Sequence, residues 1–159
     1  MKRLLIAAAL IAIASTPAFA QASRMTDQPG NCAIYAEMLA KTIKADARVT
    51  GTAESEAVET LGKFEAYLNS LVEAGMADTY KQAAAYGMDK ASVDQRMEAG
   101  QKALRDGFVG PTMEPDKVYT DHLLAVNDCA EKAKRRGELG QADVEKLATR
   151  MNAVFRLIY

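Results

Sequence analysis

A single histidine, two cysteines and a formal charge of only −1 limit what this 159-residue chain can do. One histidine excludes a His-rich zinc site within one chain, H-E-x-x-H metal chemistry and the paired Glu-x-x-His ligands of di-iron bundles. No C-x-x-C-H stretch exists for covalent haem attachment. No G-x-S-x-G elbow presents a nucleophilic serine. With charge this close to balance, nucleic-acid binding by phosphate neutralisation is excluded. An apolar content near half excludes a disordered chain. No segment shows sustained alternation of β-branched residues, so strands are not expected.

What the chain does have begins at its N-terminus. Met1-Lys2-Arg3 is a short basic start, Leu4 to Ile13 is apolar, and Ala18-Phe19-Ala20 has the small-x-small form of a signal-peptidase site. The apolar run is about half the roughly 20 residues a spanning helix needs. We therefore expect a cleaved export signal over residues 1–20, with Gln21 as the new start. Beyond it no segment is apolar enough to span a bilayer, so stable membrane insertion is not expected. Periplasmic or secreted localisation follows from the style of the signal.

In an oxidising compartment, an even pair of cysteines without metal-type spacing reads as a disulfide. Cys32–Cys129 would close a loop of about a hundred residues, for which chain entropy gives at most about 4.7 kcal/mol. Each cysteine falls on the apolar face of an expected helix. Cys32, Tyr35, Ala36, Leu39 and Ile43 form one stripe, and Tyr119, His122, Val126, Cys129 and Ala133 another. The alternative is a pair of free thiols, one of them nucleophilic.

Residues 21–30 are polar and read as a flexible arm ending in the Pro29-Gly30 turn signal, with Asn31 capping the first helix. A second helix starts near Thr52 and carries Ala57, Leu61, Phe64, Leu68 and Leu71, with Gly75 as its expected end. Residues 76–106 form either two pieces, broken at Gly87 and restarted at Asp89 or Ser92, or one kinked helix. The Gly/Pro-bracketed connector from Gly107 to Pro115 carries Phe108, Val109 and Met113, which either tuck over the core or meet a partner. The fifth helix runs from Pro115 to Gly137. The sixth starts near Gln141 and carries Val144, Leu147, Ala148, Met151, Val154, Phe155 and Ile158. The expected fold is all-α: a compact bundle of five to six mostly antiparallel helices over residues 31–159, stapled by one disulfide.

His122 is the one candidate for acid–base work, since imidazole titrates near neutrality. Its neighbour Asp121 does not share its helix face. Haem b between His122 and Met38, Met97 or Met151 is a further candidate, although methionine is a common core filler. Asp94 and Glu98 share a face and are the candidate acid pair. No cofactor and no metal are expected. These exclusions point to an exported, non-enzymatic helical protein that binds a periplasmic protein as a stress chaperone, inhibitor, immunity protein or accessory subunit. A carrier of a small ligand held between helices, or an enzyme using His122, are the alternatives.

Overall fold

The computed structural model describes residues 25–108 and 115–159. Among them are five helices and no strand: α1 (Pro29–Ala45), α2 (Gly51–Ala85), α3 (Lys90–Phe108), α4 (Pro115–Arg135) and α5 (Gln141–Ile158). The architecture is a compact all-α bundle. Helix α1 packs against α2, α3 and α4, while α5 lies against α2 and α4.

Helix α1 starts three residues earlier than its sequence suggests. Pro29 occupies the first helical turn, where its fixed φ suits the helix and its missing N–H is no loss. Gln28 is the N-cap, in extended conformation and without a side-chain cap bond. Asn31 therefore lies inside the first turn and does not cap it; its Nδ2 donates to the Met25 carbonyl at 3.0 Å. The expected flexible arm is described from Met25 onward, and there it is fastened, with Thr26 only 3% exposed.

Gly75 does not end the second helix. Helix α2 continues through it to Ala85, 35 residues in all, or about 50 Å at 1.5 Å per residue. A glycine inside a helix costs about 1 kcal/mol against alanine, which lowers stability without forcing a stop. The stop comes at Gly87, whose φ of +77° allows two carbonyls to be paired. Gly87 N–H donates to Ala84 and Met88 N–H to Ala83, both at 3.0 Å, the reciprocal pairing of a Schellman end. Gly137 (φ +73°) closes α4 in the same way, through Lys134 and Ala133. Asp89 caps α3, its Oδ1 accepting from Ser92 N–H at 2.8 Å. Residues 76–106 are thus the tail of α2 followed by a separate helix.

The core is built from Leu39 and Ile43 of α1, Leu61, Phe64 and Leu68 of α2, Tyr119 and Val126 of α4, and Leu147 and Val154 of α5. Burying side chains of this size stabilises by about 1.5–3 kcal/mol each. Among the described residues, only Ala83 of α2 is buried beyond Leu68, and only Val93 of α3 is buried. The far half of α2 and its partner α3 therefore form a thinly packed hairpin beside the main core.

Candidate functional site

The two cysteines meet. Cys32 and Cys129 form a disulfide with Cα atoms 5.8 Å apart, pinning α1 to α4. Both are buried, at 1% and 0% exposure. Among the described residues no thiol is free, so neither sulfur is available as a nucleophile.

Next to the bridge lies a polar cluster that local sequence patterns do not reveal. Lys132 of α4 reaches Asp27 Oδ1 at 2.7 Å, Asp128 Oδ2 at 3.1 Å and Thr26 Oγ1 at 2.8 Å. The Thr26 hydroxyl also donates to Asp128. Burial works to raise the Asp128 carboxyl, but the Thr26 hydroxyl and the Lys132 ammonium outweigh it and hold its pKa below the ordinary value. The contacts made by Thr26 and Asp27 span more than a hundred residues of sequence.

His122 is buried. It is 2% exposed, on the face of α4 turned toward α1, with its ring edge-on to Tyr35 at 6.4 Å between centroids. Burial lowers its pKa from the usual histidine value, and the Asp121 charge offsets this only in part. An imidazole held neutral and closed off from solvent lacks the access that proton transfer to a substrate requires. Of the haem candidates, Met38 is buried on α1, Met97 lies on α3 and Met151 lines a groove between α4 and α5. Of the acid pair, Asp94 is engaged. Asp94 accepts from Lys90 at 2.5 Å and from the Tyr80 hydroxyl at 2.6 Å, and these two hold its pKa below the ordinary value. Two-carboxylate hydrolysis needs one acid raised instead. Among the described residues no group of three or more His, Cys, Asp or Glu is placed to hold a metal ion.

Of the connector residues, Phe108 is the last residue of α3. Its side chain, Val109 and Met113 lie outside the described residues.

The feature that sequence reading missed is a groove of about 330 Å³ between α4 and α5. Its floor is Val126, Leu147 and Met151, and its walls include Leu123, Leu124, Ala148 and Phe155. Among the described residues, the polar side chains lining it are Thr120, Asn127 and Asn152, and none is charged. Leu124 is 61% exposed and Phe155 41%. Beside the groove, the Tyr159 ring packs on Phe155 at 4.5 Å and its hydroxyl donates to the Asp116 carbonyl at 2.7 Å. The signal for this groove was present in the sequence. Leu123 and Leu124 fall outside the stripe that carries Cys129, and α5 has a wider apolar face than one core contact uses.

Among the described residues no helix is long and apolar enough to cross a membrane. No family model, curated protein or solved structure matches the chain.

Proposed function

We propose that this is an exported, non-enzymatic binding protein of the bacterial periplasm, which holds an apolar segment of a partner protein in the α4–α5 groove. The observation that carries this reading is the groove itself: an open, uncharged, apolar channel with Leu124 and Phe155 left in solvent on its walls. Apolar side chains clustered at a surface cleft mark contact sites far more than scattered ones do. Export is supported by the basic-apolar-small N-terminus and by a long-range disulfide, which suits an oxidising compartment. The absence of catalysis is supported by the closed environment of His122 and the bridged cysteines. Chaperone, inhibitor, immunity and accessory roles all fit this surface.

A second reading has its own support. The groove volume falls within the range of about 300–1,000 Å³ common for small-molecule sites, so a carrier of an uncharged apolar ligand is the alternative. A photocrosslinking residue at Leu124, with one at exposed Lys63 of α2 as control, separates the readings in cells. A protein adduct formed from Leu124 and not from Lys63 is the expected result. A small-molecule adduct from Leu124 would transfer the function to the carrier class. No adduct from Leu124 would remove the groove as a binding site.

A further inference from the structure

Residues Met25–Gln28 lie against the disulfide. The Thr26 carbonyl oxygen is 3.3 Å from Cys32 Sγ, and Thr26 is itself buried. On one side this segment is tied to α1, through Asn31 Nδ2 to the Met25 carbonyl at 3.0 Å and Cys32 N–H to the Gln28 carbonyl at 3.1 Å. On the other side it is tied to α4, through Lys132 to Asp27 and Thr26 and through Thr26 to Asp128. Lys132 lies one helical turn beyond Cys129, so the fastening sits beside the bridge.

We propose that Met25–Gln28 is a guard over the Cys32–Cys129 bridge, and that its release from α4 admits reductant without unfolding of the bundle. Exchange requires a thiolate to approach a disulfide sulfur directly. With a dithiol reductant, one thiolate attacks Cys32 Sγ, the S–S bond breaks, and Cys129 leaves as a thiolate that takes up a proton. The second thiol of the reductant, deprotonated, then displaces Cys32, which is protonated in turn. The reductant leaves as a cyclic disulfide, oxidised by two electrons, and the bridge has gained them. With the guard closed, the Thr26 carbonyl occupies space against the sulfur under attack.

The guard is the weaker of the two barriers. Polar contacts and the partly buried Met25 hold it, whereas the bundle is held by buried side chains from α1, α2, α4 and α5. Segments held in this way open locally at lower free energy than the whole fold.

The test is the rate of bridge reduction by dithiothreitol, followed by alkylation and intact mass, across a range of urea below the unfolding transition. Lys132→Met removes the three-way fastening and keeps the aliphatic stem. Reduction is expected to accelerate about tenfold or more, the scale of losing hydrogen bonds to a charged group, with little change in the thermal midpoint of helix loss. Rates should also be nearly flat in low urea. Asp27→Asn, at a side chain 61% exposed, gives a smaller acceleration and keeps the test alive should Lys132→Met fail to fold. Unchanged rates in the variants, or rates rising with the full urea slope of global unfolding, would overturn the proposal.

Discussion

The Tyr119 hydroxyl of α4 donates to the Thr42 carbonyl of α1 across 3.1 Å, at the opposite end of this helix pair from the Cys32–Cys129 bridge. Two ties about ten residues apart on each helix fix both the antiparallel sense of α1 and α4 and their register. Between them lie His122 and Tyr35, packed ring edge to ring face. The covalent tie, the hydrogen-bonded tie and the buried histidine each have a measurable consequence.

Removing the bridge should cost much of the fold's stability. Cys32 and Cys129 are 97 positions apart, and loops of this length give losses of about 2–5 kcal/mol. The double variant Cys32→Ser/Cys129→Ser, compared with wild type by urea unfolding, is expected to lose stability in that range. An unchanged midpoint would mean the bridge leaves the unfolded chain as free as before.

Tyr119→Phe tests the other tie. The variant leaves the Thr42 carbonyl without this donor and is expected to lose about 1 kcal/mol. Burial first, and the Asp46 charge second, push the Tyr119 phenol well above the ordinary tyrosine value. The neutral form is favoured by the fold, so its contribution is complete below the ordinary value of 10.0 and is lost as pH rises beyond it. Absorbance titration of wild type against Tyr119→Phe should therefore show one fewer tyrosine among those that ionise only when the protein unfolds in alkali.

His122 supplies a pH dependence of opposite sense. Its pKa is lowered in the fold, so below the ordinary value of 6.5 the unfolded chain takes up a proton that the native chain refuses. Stability should be fully present above pH 6.5 and fall progressively as pH drops toward the lowered value. His122→Phe should abolish this part of the slope. A slope unchanged in the variant would assign it to other groups. Asp46, held at about 2 chiefly by its bond to Arg48, contributes to a separate acid limb below pH 3.8, where Asp94 and Asp128 act in the same direction.

Two glycines make opposite demands. Gly75 is helical, exposed and has nothing within 4 Å of where a Cβ would stand, so Gly75→Ala should stabilise by about 0.4–1 kcal/mol. Gly87 has equal space but a φ of +77°, so Gly87→Ala should destabilise by about 1 kcal/mol or more. Thermal unfolding of the pair checks both signs. The same sign for both would refute the helix end at Gly87.

The sequence made the period of each stripe legible, and through it the core. Ala57, Leu61, Phe64 and Leu68 are buried as their spacing implied, and so are Val144, Leu147, Met151 and Val154. The disulfide followed from two cysteines on two such faces. What failed was local punctuation. Gly75 looked like a helix end because glycine often is one, yet an end needs a positive φ and paired carbonyls, and Gly87 supplies both. The fastening of Thr26 was invisible because its partners, Asp128 and Lys132, are 102 and 106 positions away. The groove was missed for a different reason. Periodicity shows which faces are apolar, but Leu124 and Phe155 differ from core residues only in what fails to cover them.

The central claim, an exported bridged protein whose groove serves protein partners, is tested most directly by native mass spectrometry. The tagless protein would be taken from its native cells without reductant. The expected species begins at Gln21, resists thiol alkylation until reductant is added, and carries no small molecule, any bound mass being that of a protein. A chain retaining residues 1–20, cysteines that alkylate without reductant, or a tightly held small molecule would contradict the account.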